Sequence, residues 1–345
     1  MSNVLLNSSS LPQFSHIAPE CVAPTIEQLL AQNRETIAAL AHQPTPTWQS
    51  LPAQLEELDD CLSKAWSIVS HLNAVTNSPA WREAYNGCLA KISAYYTELG
   101  QNSDLYNSYQ TLADSNEFAQ LHQAQKQTIN NALRDFKLSG VALPTEQKQR
   151  FAAIEERLSA ICAKFADNLL DATQAWHKEL SSEELAGIPE ANQGLLAQLA
   201  QQRGLTGHIV TLDAPAYLAV MMYADNRQLR ETVYTAYCTR ASELSNDGKF
   251  DNSALMEEIL ALRYEQAQLL GYQHYAELSL VPKMASSVDV VMQFLQELAV
   301  RAKPAAEKDL AELRAFAAIL GIDDLKPWDS SYASEKLKQQ SGKRH

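Results

Sequence analysis

The sequence predicts a mainly α-helical protein with at most a small β element near residues 208–213. Three observations carry that expectation. Apolar residues recur at spacings of three and four along most of the chain, which is the period of one helix face. Only 11 Gly and 13 Pro occur in 345 residues, too few for a turn-rich all-β chain. Ala, Leu, Gln and Glu, all strong helix formers, dominate the composition. At roughly 150 residues per domain the length implies two domains or one large one. With 46% hydrophobic and 20% charged residues, the chain has enough apolar surface for a sizeable core.

Taken in order, the first helix is expected after Thr25, with Gln28 at the capping-box position and Ile26, Leu29, Leu30, Ile37 and Leu40 on one face. A second carries Leu55, Leu58, Leu62, Trp66, Val69 and Leu72. Ser78-Pro79 reads as a cap followed by proline in the first turn, and Gly100 as the end of that helix. Another helix is expected over residues 116–136. The stripe Phe151, Ile154, Leu158, Ile161, Phe165 and Leu169 predicts a long helix after Pro144, continuing to Leu180. Over 30 residues would span about 50 Å. Ser181 and Glu184 form a second capping-box signal, and Gly187 with Pro189 marks a loop. His208-Ile209-Val210-Thr211-Leu212 is short and β-branched and reads as a strand, with no partner evident. Helices resume near Ala216, over residues 253–270 before Gly271, and over residues 288–320, where Pro304 is expected to end or kink the helix. The polar, basic residues 336–345 read as a disordered tail.

Composition also excludes functions. The net charge of −13, from 28 basic and 41 acidic side chains, argues against a nucleic-acid surface and against an anionic membrane surface. The opening Met1-Ser2-Asn3-Val4-Leu5-Leu6-Asn7 lacks the basic and apolar regions of a signal peptide. No stretch approaches the roughly 20 apolar residues of a membrane span. Cys21, Cys61, Cys88, Cys162 and Cys238 are widely spaced, with no C-x-x-C, and are expected to be reduced thiols in a cytoplasmic protein.

Catalytic signals are sparse. The eight histidines are His16, His42, His71, His122, His177, His208, His274 and His345, and no local two-histidine motif, H-E-x-x-H included, occurs among them. His274 and Glu277 share a helical spacing but form at best a weak ligand pair. No G-x-S-x-G, G-x-G-x-x-G or G-x-x-x-x-G-K-[ST] is present. A Cys/His dyad assembled in space has no residue to single it out. The acid pairs Asp59-Asp60, Glu155-Glu156, Glu183-Glu184, Glu257-Glu258 and Asp323-Asp324 read as solvated helix faces. Two tyrosine groups stand out: Tyr95, Tyr96, Tyr106 and Tyr109, and Tyr217, Tyr223, Tyr234 and Tyr237. Both suit half-buried packing between helices, and alternatively the lining of a peptide channel.

Several segments together carry a resemblance. They are Ile68-Val69-Ser70-His71-Leu72-Asn73-Ala74-Val75 with Asn77-Ser78-Pro79, and Asn131-Ala132-Leu133-Arg134-Asp135-Phe136-Lys137-Leu138-Ser139-Gly140. Further along come Leu170-Asp171-Ala172-Thr173 and Tyr237-Cys238-Thr239-Arg240-Ala241-Ser242. The last are Met256-Glu257-Glu258-Ile259-Leu260-Ala261-Leu262-Arg263, Leu269-Leu270-Gly271-Tyr272 and Pro327-Trp328-Asp329. From near Leu11 to about Gln339 the chain resembles the N-terminal half of the thimet oligopeptidase and oligopeptidase A family of zinc metallopeptidases.

The resemblance implies a helical N-terminal lobe of a two-lobed, channel-type enzyme that admits short unstructured peptides. In that family a H-E-x-x-H helix and a downstream Glu hold one zinc, and the motif Glu acts as base toward a zinc-acidified water. Those residues lie in the C-terminal half of the family pattern, so none is carried over. The expected site is therefore empty of assignments: no catalytic residue, no metal ligand, no cofactor of its own, and substrate-binding residues unknown. Beyond Lys338 the likeness fades into Gln339-Gln340-Ser341-Gly342-Lys343-Arg344-His345, which implies a truncated or frameshifted reading frame, inactive alone. Ala333 departs from the family's second Tyr after Tyr332. The expected organisation is an extended segment over 1–20, helical regions over 21–180 and 181–335, and a tail over 336–345. Expected partners are short peptides or a C-terminal catalytic half. The alternative is a retained helical peptide- or partner-binding module.

Overall fold

The repeated three-and-four spacing becomes fourteen α-helices and one two-stranded sheet in the computed structural model, which describes residues 4–6 and 11–342. The helices are α1 (Val22–Leu40), α2 (Pro52–Thr76), α3 (Pro79–Gly100), α4 (Ser103–Ala113), α5 (Asn116–Gln120), α6 (Gln123–Leu138) and α7 (Thr145–Ala175). After strand β1 (His177–Leu180) come α8 (Glu190–Gln202), strand β2 (His208–Thr211), α9 (Ala214–Tyr223) and α10 (Arg227–Cys238). The chain continues through α11 (Ser253–Leu269), α12 (Tyr275–Leu280), α13 (Val288–Ile319) and α14 (Pro327–Gly342).

The contacts divide the chain into two units. The first comprises residues 1–163 and 258–286, the second residues 164–257 and 287–345. The chain thus crosses between units within α7, within α11 and between residues 286 and 287.

In the first unit α1 packs on α2 and α3, and α4 packs on α6. The apolar stripes meet in one core holding Ile26, Leu62, Val69, Leu105, Leu112 and Ile129. Leu5 and Ile17, from the segment expected to be extended, are buried in the same core. Short 3-10 turns at Val4–Leu6, Phe14–His16 and Pro19–Cys21 shape that segment. Part of α7 lies beside part of α11 through two bidentate ion pairs. Arg150 donates to both carboxylate oxygens of Glu265 at 2.6 Å, and Arg157 donates to those of Glu258 at 2.6 and 2.7 Å.

In the second unit β1 and β2 pair antiparallel, with His177 opposite Thr211 and Leu180 opposite His208. Helices α8 and α9 pack against β2, and α14 packs on α9, α10 and α13. Leu196, Val210, Val220, Leu229 and Val233 form the core. Asn168 and Asn252 are buried and satisfy one another, with Nδ2 of Asn168 donating to Oδ1 of Asn252 at 2.9 Å.

Several expectations change. α1 begins at Val22, so Thr25 lies inside its first turn and its hydroxyl donates to the Cys21 carbonyl at 2.6 Å. The helix expected over 116–136 is two helices, because Leu121 is extended and His122 starts α6 with a capping box shared with Gln125. α7 ends at Ala175 rather than Leu180, because residues 177–180 are the strand partner that β2 requires. Pro304 lies inside α13 without ending it. Proline deletes one backbone donor, and the flanking Ala, Glu and Lys residues favour helix strongly enough to continue. The tail is helical through Gly342. Its polar residues suit a solvent-facing helix: Gln339 bonds the Glu335 side chain, and Lys336 pairs with Asp225 at 3.1 Å. Residues 343–345 of that expectation lie outside the described residues. Other local signals hold: Ser78 caps α3 by accepting from the Trp81 N–H, and Gly271 follows α11 at φ +84°.

Candidate functional site

Asn226 caps α10 by accepting from the Leu229 N–H, which fixes the helix phase. Gln228, Thr232, Thr235 and Thr239 then follow at spacings of three and four along one face. That face lines a cavity of about 470 Å³, completed by Ala172 near the end of α7, Trp176 just after it, Leu212 after β2, and Leu244 to Asn246.

Arg240 supplies the cavity's cation. Its guanidinium lies 3.7 Å from the Tyr237 ring centroid, and its Nε donates to the Tyr237 carbonyl at 2.9 Å. Nη1 donates to Thr173 Oγ1 at 3.1 Å. Tyr237 stacks in turn on Tyr217, with centroids 4.0 Å apart and planes 25° apart. Burial, with Cys238 and Tyr234 adding to it, pushes the Tyr217 phenol up to about 12, so it stays a neutral hydroxyl at physiological pH. Hydroxyls, the Gln228 and Asn246 amides, the Glu231 carboxylate and the Arg240 cation face one space. Such a set hydrogen-bonds polar main-chain groups and positions charge. It lacks a nucleophile–base pair.

The same helix α10 also carries a buried ionic cluster. Asp329 is 0% exposed and Arg230 only 1%. Arg230 Nη2 donates to Asp329 Oδ1 at 2.8 Å, and Arg227 Nη2 donates to Oδ2 at 2.7 Å. The Lys326 N–H also donates to Oδ2, at 3.0 Å. Arg230 lies 4.0 Å over the Tyr332 ring, and the Tyr332 hydroxyl donates to Asp225 at 2.8 Å. This cluster fastens α14 to α10. Sequence reading missed it, although Arg227 and Arg230 stand three apart on one helix face. The partner carboxylate is about a hundred residues away.

The residues singled out from sequence fall into plain roles. His274 caps α12 by accepting the Glu277 N–H at 3.3 Å, while Glu277 accepts the Gln273 N–H at 2.8 Å, so the pair is a helix cap. Asp60, Glu184, Glu258 and Asp324 are engaged in ion pairs. Glu155 is drawn inward, where it accepts from Gln266 and burial raises its carboxyl above the ordinary range. Cys88 is buried and its thiol is pushed up by burial, whereas Cys61, Cys162 and Cys238 are exposed and unpaired. Tyr106 and Tyr109 pack on Phe136, and Tyr234 on Trp328. Ala333 is fully buried beside Ala317 and Ile322, where a Tyr ring would not fit without displacing them. Among the described residues no three His, Cys, Asp or Glu side chains come together to hold a metal ion.

Comparison with known proteins gives this helical scaffold its class. The sequence model described as Neurolysin/Thimet oligopeptidase, N-terminal domain, matches residues 26–148, and that of Peptidase family M3 matches residues 220–343. The chain is 49% identical to oligopeptidase A of Escherichia coli (strain K12) over 343 residues, covering 98% of this chain and 50% of the relative. It is 49% identical over 342 residues to oligopeptidase A of Haemophilus influenzae, with the same coverage. To the probable cytosolic oligopeptidase A of Arabidopsis thaliana it is 36% identical over 349 residues, covering 98% and 49%. The class is that of the family described as Peptidase family M3. The chain belongs to the thimet oligopeptidase and oligopeptidase A family. It spans about half the length of the curated relatives it matches.

Proposed function

We propose that these 345 residues are the non-hydrolytic helical part of an oligopeptidase A-like zinc peptidase of the cytoplasm. In this reading the α10 cavity forms part of the wall that holds short peptides, and the chain alone neither binds zinc nor cleaves. One observation carries the reading. Two segments of the family resemblance, Leu170-Asp171-Ala172-Thr173 and Tyr237-Cys238-Thr239-Arg240-Ala241-Ser242, meet at that cavity through the bond from Arg240 to Thr173. The five unpaired cysteines suit a reducing compartment. No helix among the described residues is long and apolar enough to cross a membrane.

Calorimetric titration with an unstructured peptide of about ten residues tests the cavity's role. Weak saturable binding is expected, reduced about tenfold or more in Arg240→Ala, because a charge-assisted hydrogen bond contributes about 1.5–3 kcal/mol. Equal binding by the variant and the parent would remove the cavity from the reading.

A separate observation favours association with a catalytic half. Residues 292–312 of α13 are exposed on every side, and Met292, Phe294, Leu295, Leu298 and Val300 among them are 49–73% exposed. Apolar patches beyond a few hundred Å² drive association. The chain is therefore expected to oligomerise or aggregate as concentration rises in sedimentation velocity. The double variant Phe294→Glu, Leu298→Glu should sediment as a monomer with an unchanged melt. A monodisperse parent monomer would contradict this.

A further inference from the structure

The larger cavity lies in the first unit, in a cleft among α2, α3, α4 and α6, and the reading above does not use it. Its volume is about 740 Å³. Small-molecule sites typically fall at roughly 300–1,000 Å³, mostly apolar with a few convergent polar groups. This cleft has that make-up. Leu99, Leu105 and Phe136 provide an apolar floor.

Two independent features point to a ligand. The first is Tyr109, which is only 6% exposed and packs its ring on Phe136 with centroids 5.6 Å apart. Tyr109 lines the cleft, and its hydroxyl is not among the fully enclosed polar atoms, so it is open to the cleft. No side-chain hydrogen bond from Tyr109 to another described residue accompanies its ring packing, which leaves the hydroxyl free to meet a bound group. The second is charge on the rim. Glu56 and Asp59 stand three apart on α2, and neither is paired with a cation among the described residues. Asp59 accepts only neutral donors, the Tyr96 hydroxyl at 2.8 Å and the Ser63 hydroxyl at 3.4 Å. The other two rim acids are already answered, Asp60 by Lys64 at 2.6 Å and Asp135 by Arg134 at 2.8 Å. Two carboxylates without a cation partner among the described residues therefore border an apolar floor beside one phenol open to the cleft.

We propose that this cleft binds a protonated amine or guanidinium carried on an apolar stem. The cation sits between Glu56 and Asp59, the stem lies on Leu99, Leu105 and Phe136, and the Tyr109 hydroxyl takes a hydrogen bond from the bound group. A linear polyamine and a Lys or Arg side chain within a peptide both present that chemistry.

Titration calorimetry on the full chain separates them, with spermidine in one arm and N-acetyl-phenylalanyl-arginine amide in the other. One saturable site is expected for at least one probe. Binding to spermidine alone assigns a polyamine, and binding to the dipeptide alone assigns a basic side chain. Affinity should fall with added salt, as it does for a charge contact at a partly exposed site. The double variant Glu56→Gln, Asp59→Asn should lose at least about tenfold in affinity, consistent with removal of two charge contacts. Tyr109→Phe keeps the ring and should weaken binding severalfold with an unchanged melt. The citrulline analogue of the dipeptide, which has the stem without the charge, should not bind. Absence of saturable binding by both probes would overturn the proposal. So would full affinity in both the double variant and Tyr109→Phe.

Discussion

Replacing Asp329 by Ala is expected to cost about 3–5 kcal/mol of stability, because it leaves Arg230 as a buried charge without its counter-ion. Arg230 is 1% exposed, so water cannot take over the role of the carboxylate. Arg227 loses the same partner but is 44% exposed as a side chain and is resolvated at little cost. Asp329→Asn keeps an acceptor and should cost less. Urea unfolding followed by circular dichroism measures both variants, and a loss below about 1 kcal/mol for the Ala variant would contradict the assignment.

The same cluster sets an acid dependence. Burial pushes the Asp329 carboxyl up, but hydrogen bonds from Arg227, Arg230 and the Lys326 N–H outweigh it and hold the carboxyl below its ordinary 3.8. Asp225 is likewise held below 3.8, as the Tyr332 hydroxyl and Lys336 outweigh its burial. A carboxylate whose folded value is depressed contributes stability above its unfolded value, and that contribution disappears as pH falls through the folded value. The second unit should therefore lose stability progressively below about pH 4. The loss should be shallower in Asp329→Asn.

Gly187→Ala is the other substitution expected to be severe. Gly187 has φ +83°, and an added Cβ would lie 2.4 Å from the Tyr223 carbonyl oxygen and 2.5 Å from Asp225 Cγ. The left-handed backbone costs an Ala about 1–2 kcal/mol. Crowding against a backbone atom adds about 1–3 kcal/mol, because that atom does not swing aside as a side-chain tip would. A total loss of about 2–5 kcal/mol is expected. Gly194→Ala is the control: Gly194 lies within α8 with nothing near its Cβ position, so Ala there should stabilise by about 0.5–1 kcal/mol. Matching thermal shifts for the two variants would refute the steric argument.

What was legible in the sequence follows physical range. Local signals carry their own geometry: Ser78-Pro79 starts α3, and the 151–169 stripe runs along α7. β1 was not legible, because its four residues lack β-branching and become a strand only when β2 pairs with them. The α5–α6 break was hidden because a histidine performs the capping. The candidate site was legible only in fragments. The clustering of Tyr217, Tyr234 and Tyr237 was visible, but its meaning depends on Thr173 and Arg240 meeting from 67 residues apart. The buried Arg230–Asp329 pair is 99 residues apart, and the three-residue spacing of Arg227 and Arg230 does not point to its distant partner.

In the proposed function this chain would supply scaffold and peptide-facing wall, with the hydrolytic chemistry outside these 345 residues. The most direct test incubates the purified chain with zinc, measures bound metal by elemental analysis after dialysis, and follows a quenched fluorescent oligopeptide in the same sample. Substoichiometric metal and no chelator-sensitive cleavage are predicted. One retained zinc per chain with chelator-sensitive turnover would contradict the proposed function.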